Sequence, residues 1–320
     1  MVYGPSVNHT MVTEFILLGF TSHPQLRHML FGLFLMMYAV TLVGNGLIIA
    51  VVWADPLLHT PMYLFLGSLS CSETAYTLVV IPRMLCDLLE PHQPLPLASC
   101  ATQMFFFVAL GVSDCLLLTA MAWDRYVAIC HPLHYGILMS QHICWGLVVG
   151  SICGGFAVSS FLTGMIFSLP FCAPNHIPHF FCDIPPVLSQ VCPGYGIIER
   201  TVTTLVTVIL VVPFSFIMLS YGCILMASLH MNSTQGCHKA FSTCGAHLTV
   251  VFLHYGSAIF SYTRLKGSYG EGKDHILAVS YTVLIPMLNP LIYTLRNKEV
   301  KGALRKMLNR GLLIQWLGEN

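Results

Sequence analysis

MLFGLFLMMYAVTLVGNGLIIAVVW, residues 29–53, carries no charged side chain over its whole length. A helix of about 20 mostly apolar residues crosses the hydrocarbon core of a bilayer, so this stretch predicts a membrane span. Six further stretches repeat the pattern: Leu57 to Pro82, Leu95 to Trp123, Ile143 to Pro170, Thr201 to Leu229, Ala240 to Tyr262 and His275 to Leu295. Acidic residues enter the seven only at Glu73 and Asp114. A soluble α/β fold would need polar helix faces and strand-length punctuation, and these runs have neither. The sequence predicts an all-α fold, a seven-transmembrane helix bundle.

Composition agrees. The chain is 56% hydrophobic and 8% charged with a mean hydropathy of +0.75, against about 25% charged residues in soluble domains. Net charge of +1 leaves no basic footprint for nucleic acid. One domain is expected over residues 1–320, with an outer segment at 1–25, the bundle at 26–296 and a cytoplasmic tail at 297–320.

Orientation rests on two signals. Met1 to Thr10 has neither a basic start nor an apolar run, so the first span is expected to act as the insertion signal. Asn8-His9-Thr10 forms a glycosylation triplet, which has meaning with the amino terminus outside. That orientation places Arg125, Lys239, Arg296, Lys298, Lys301, Arg305, Lys306 and Arg310 in the cytoplasm, eight of the 14 basic residues. The excess has the sign of the positive-inside rule. A second triplet at Asn232 then falls in a cytoplasmic loop and is expected to stay unmodified. In the tail, Val300, Leu304, Met307 and Leu308 share one helical face, and Lys298, Lys301 and Arg305 another. The spacing predicts a short basic amphipathic helix on the anionic inner leaflet.

Five blocks then recur in order along the spans: Gly44-Asn45 in the first, PMYLFLGSLS from Pro61, MAWDRYVAICHPLHY over residues 121–135, KAFSTCGAHL from Lys239, and PMLNPLIYTLRNK from Pro286. Together they closely resemble the olfactory receptor signature within the rhodopsin-like G-protein-coupled receptors and cover essentially the whole chain. Trp123, Ala246 and Asp114 depart from it, standing where tyrosine, serine and glutamate are usual.

The resemblance implies roles for named residues. In Asp124-Arg125-Tyr126 a neighbouring carboxylate would hold the guanidinium at rest, and Arg125 would help receive the carboxyl-terminal helix of a G protein. Asn289-Pro290 with Tyr293 forms an NPxxY element, loosened further by Pro286. Tyr221 and Tyr293 would swing inward on activation. Glu73, Asp114, Asn45 and Asn289 match a polar cluster that binds sodium in related receptors, although two facing carboxylates could equally share a proton. Disulfides are implied between Cys100 and Cys182 and between Cys172 and Cys192, in an oxidising compartment.

Projecting the family pattern inward gives a ligand site of Phe107, Val108, Gly111 and Val112 on the third span and Leu205, Val206 and Ile209 on the fifth. Tyr255, Ala258, Ile259 and Tyr262 would join from the sixth, and Val279 and Thr282 from the seventh. Such a lining is apolar with a few hydroxyls, suited to a small, neutral, volatile odorant. The implied function is a multi-pass plasma-membrane odorant receptor that activates a stimulatory olfactory-type G protein and raises cyclic AMP. It performs no covalent chemistry and needs no cofactor beyond the possible allosteric sodium.

Other chemistry fits poorly. GSYGEGK, residues 267–273, imitates a phosphate-binding loop, but Asp274 stands where Ser or Thr is needed and no strand precedes it. The 15 histidines never form a His-Glu-x-x-His pattern, which speaks against a metal hydrolase. A transporter would show inverted repeats and a charged, broken-helix site near the midplane; no repeat is visible, and seven spans do not divide into equal halves. Gly146, Gly150 and Gly154 at four-residue spacing predict close helix packing in the fourth span.

Overall fold

The computed structural model describes residues 12–20, 24–172, 174–229, 234–262, 271–297, 299–307 and 309. Asn8, Asn232, Lys298, Leu308 and the first part of the 267–273 loop lie outside them. Seven long helices occupy the seven expected spans: α1 (Arg27–Ala54), α2 (Pro61–Leu89), α3 (Leu97–Cys130), α4 (Gln141–Phe167), α5 (Gly196–Leu229), α6 (Thr234–Tyr262) and α7, built from Glu271–Val279, Ser280–Leu284 and Ile285–Arg296. Among the described residues, six of them (α1 to α5 and α7) are long and apolar enough to cross a membrane by length and composition alone.

Boundaries move outward where the helix outlasts its apolar run. Pro82 lies inside α2, which continues to Leu89, and α3 reaches Cys130. Pro61 opens α2 at a position where its missing N–H costs nothing. α3 is the central rod, packed against α2, α4, α5 and α6.

Two close approaches fix the bundle. A side chain at Gly155 would collide with the Ser113 hydroxyl and the Ala109 carbonyl, so α4 lies almost on the α3 backbone there. The Ser159 hydroxyl reinforces the contact by donating to the Phe105 carbonyl at 2.6 Å. The expected glycine stripe needs correction. Gly154 faces Leu116, but Gly146 and Gly150 have open space around them, and Gly155 makes the tight contact instead. The second approach joins α1 to α7, where a Cβ on Gly44 would come within 3.1 Å of the Pro290 ring. Pro290 has no N–H to offer the carbonyl of Pro286 one turn back. Asn45 supplies the missing donor, its Nδ2 lying 3.1 Å from that oxygen. Just before Pro286, Ser280–Leu284 widens into a π turn, a local fault common beside functional sites.

The outer surface carries a small sheet that the sequence does not announce. Strand β1 (Glu14–Leu17) runs between β2 (Pro94–Pro96), antiparallel to it, and β3 (His176–Ile177), parallel to it. Phe15 and Leu17 alternate inward and are buried, Phe15 edge-on against Phe171. On the opposite side, residues 299–307 form the expected short helix. Val300 and Ala303 are buried, while Lys301, Arg305 and Lys306 are exposed. Asn297 caps its start by accepting from the backbone N–H groups of Glu299 and Val300.

Candidate functional site

A cavity lies in the outer half of the bundle, with about 600 Å³ of empty space that includes part of its opening to solvent. From α3 it is lined by Phe107, Val108, Gly111, Val112 and Cys115, and from α5 by Val206, Ile209 and Leu210. His254, Ala258 and Tyr262 come from α6, Tyr281 from α7, Tyr76 from α2, Leu162 from α4 and Ile184 from the outer loop. No charged side chain takes part in this lining.

The expected α3 quartet, Val206, Ile209, Ala258 and Tyr262 therefore meet around one space. Leu205, Tyr255, Ile259, Val279 and Thr282 do not line it. Leu205 and Ile259 each sit one residue, or about 100° of helix rotation, from a lining position. Tyr255 is fully buried, its hydroxyl donating to the Cys115 carbonyl at 3.0 Å and its ring against Phe214. On α7 the π turn shifts the register. Thr282 faces the packed interior and donates to the Ala278 carbonyl at 2.6 Å, while Tyr281 turns to the cavity. Cys115, Leu210 and His254 lie four residues from Gly111, Val206 and Ala258, so continuing each helical face would have found them.

Asp183 closes the outer end, and nothing in the sequence singled it out. It follows Cys182 in the long outer loop, is 1% exposed, and accepts three hydrogen bonds. Tyr262 donates to Oδ1 at 2.6 Å, Tyr281 to Oδ2 at 2.7 Å, and the backbone N–H of Ile184 to Oδ1 at 2.7 Å. Burial pushes its carboxyl above the ordinary carboxylate range, against the pull of those donors. Beside it, His179 is buried under Phe180, and desolvation with His275 nearby lowers its imidazole to about 3. The loop is tied down covalently by disulfides Cys100–Cys182, to the start of α3, and Cys172–Cys192, within itself. Both pairings match the expectation.

Below the cavity lies the polar cluster. Asn289 donates to a Glu73 carboxylate oxygen, and Asp114 lies close enough to Glu73 for their charges to interact. Asn45 Oδ1, Asp114 Oδ1 and Asn289 Oδ1 are buried without a hydrogen-bond partner.

At the cytoplasmic end the resting pair takes a different form from the one expected. Asp124 accepts from the Tyr135 hydroxyl at 2.7 Å, and the Arg125 guanidinium lies against the Met62 sulfur. An Asp124–Arg125 ion pair is absent among the described residues. The Asp124 carboxylate, inside α3, is thereby held by the phenol of Tyr135 in the following loop, eleven residues on, and not by its neighbour. Tyr126 bonds His131 at 3.1 Å, and Tyr221 bonds His247 Nδ1 at 2.6 Å. Tyr293 is buried with its hydroxyl unpartnered. Pro290 stands against Gly44, as described.

The family model described as olfactory receptor matches residues 34–311. Human olfactory receptor 10R2 is 48% identical over 303 residues, covering 95% of this chain and 90% of that protein. Human olfactory receptor 10A7 is 46% identical over 306 residues, 96% of this chain and 97% of its own. Mouse olfactory receptor 10J5 is 46% identical over 303 residues, covering 95% and 98%. Those relatives are receptors, not enzymes, and their family is one of multi-pass plasma-membrane proteins. A family match over most of the chain and relatives at 46–48% identity settle its membership: this chain belongs to the olfactory receptor family.

Proposed function

We propose that the chain binds a small, neutral, volatile odorant in the cavity and activates a stimulatory olfactory-type G protein, raising cyclic AMP. One observation carries this: α3, α5, α6 and α7 line the cavity and also bear Arg125, Tyr221, His247 and Tyr293 at their inner ends. A ligand acts only through its differential affinity for two arrangements of these helices. The cytoplasmic surface supplies a docking face, because Leu133 and Ile137, in the loop after Arg125, are 93% and 72% exposed. In cells expressing the receptor, odorant-dependent cyclic AMP should appear and vanish in Arg125→Ala at unchanged surface expression. Ion-driven solute uptake in place of cyclic AMP would support a transporter and overturn this function.

The polar cluster fits an allosteric sodium ion held by Glu73, Asp114, Asn45 and Asn289. Its unpartnered oxygens are hard donors of the type that sodium takes. Sodium there would favour the packed, inactive arrangement. The same carboxylates could instead share one proton, and sodium-dependent signalling that is lost in both Glu73→Ala and Asp114→Ala separates the two. The outer orientation also makes Asn8 a glycan acceptor, tested by a glycosidase-sensitive shift in gel mobility that is absent in Asn8→Gln.

A further inference from the structure

At the inner end of the cavity, Cys115 of α3 faces His254 of α6, with Sγ 3.5 Å from Nε2. Both side chains line the space. The same lining includes Val112, Leu162, Val206, Ile209 and Leu210, none of which forms hydrogen bonds through its side chain. The tyrosine hydroxyls at the opposite end, on Tyr262 and Tyr281, are already committed to Asp183. The imidazole is therefore a strong hydrogen-bonding group whose partner is a thiol, and a thiol is both a weak donor and a weak acceptor.

We propose that Cys115 and His254 form a hydroxyl-recognition subsite, which makes alcohols and phenols the preferred ligands of this cavity over ethers of matched shape. The proposal rests on the cavity being the odorant site. In this proposal the imidazole proton sits on Nδ1, which leaves Nε2, the nitrogen that faces the thiol, as the acceptor. A ligand O–H entering beside Cys115 replaces an S–H···N contact with an O–H···N bond, a gain in strength with no buried polar group left stranded. The displaced thiol settles among apolar neighbours at little cost, because free cysteine behaves as a small hydrophobe. An ether of the same shape has no proton for Nε2. It must either leave the thiol contact in place or strand its own oxygen against apolar side chains.

The test uses the full-length receptor in lipid nanodiscs, with binding read as ligand-dependent thermal stabilisation. The probes are 1-hexanol to 1-decanol and, for each, the isomeric methyl ether with one carbon fewer in its chain, so that 1-hexanol is paired with 1-methoxypentane. Alcohols should bind about tenfold more tightly than their ethers, the effect of one hydrogen bond to a buried acceptor. In His254→Phe that ratio should fall to about one. Tyr76→Phe, which removes another hydroxyl from the lining, should leave it unchanged. Cys115→Ala removes the competing thiol, so alcohol affinity should hold or rise. That variant keeps the proposal testable if His254→Phe does not fold. A wild-type ratio near one, a preference that survives in His254→Phe, weaker alcohol binding in Cys115→Ala, or no alcohol binding at all would each overturn the subsite. Selective binding with no cyclic AMP response in cells would leave the subsite standing and bring down the signalling function instead.

Discussion

At the scale of single residues the decisive group is Asp183, a loop carboxylate that three donors reach at once. Asp183→Ala removes the acceptor of the Tyr262 and Tyr281 hydroxyls, at about 1–3 kcal/mol for each one left unsatisfied. Its melting temperature should fall, and Tyr262→Phe with Tyr281→Phe added to the same variant should recover part of the loss. Full recovery from either phenylalanine alone would show that only one bond matters. His179 governs pH dependence. Once the loop opens, its imidazole takes a proton near 6.5, whereas in the folded loop it does so only near 3. Between those values protonation favours the open state, so folded-state stability falls as pH drops, by up to about tenfold in population per pH unit. Asp183 acts with the opposite sign, since a raised carboxyl favours the folded loop as pH falls. Thermal melts of His179→Phe, which keeps an aromatic ring against Phe180, should therefore lose stability less steeply than wild type between pH 6.5 and 4.5.

At the scale of helices and strands, close approach outranks composition. Gly155→Ala drives a methyl group into Ser113 and Ala109 and should nearly abolish surface expression, measured by an external epitope tag. Gly146→Ala and Gly150→Ala meet open space and should express normally. The seven spans were legible because twenty apolar residues in a row have few other uses. Their ends were not, because α3 and α5 extend beyond their apolar runs into the loops. Strands of four, three and two residues are too short for any alternation to register, and prolines at both ends of β2 read as loop. On α3, one helical face sufficed to place four lining residues. On α5 and α6 a one-residue error in the chosen face put Leu205 and Ile259 beside the cavity instead of in it. Val279 and Thr282 were displaced by the π turn, whose position follows from tertiary packing and leaves no mark in the periodicity.

At the scale of the whole molecule, two cross-links and one polar clasp set what can move. The Cys100–Cys182 bond closes 82 residues and Cys172–Cys192 closes 20. The larger loop gains more from closure, and its bond also anchors the Asp183 roof to α3. Cys100→Ser should therefore reduce stability and odorant response more than Cys172→Ser, compared by thermal melts of purified protein. Inside the bundle, Asn45 joins α1 to the proline-weakened stretch of α7, so Asn45→Ala should raise ligand-independent cyclic AMP by freeing that stretch. An unchanged baseline at equal surface level would show that the bond does not restrain it. The π turn at Ser280–Leu284 has a consequence of its own. Because it stores one surplus residue, deleting a single amino acid there would let the segment relax into ordinary helix. The two flanking parts of α7 would then keep their facing while the turn between them straightened, because the residue removed is the one that the wide turn had absorbed. A codon lost there is thus absorbed, whereas one lost from an ordinary turn of α7 would swing everything beyond it by about 100°.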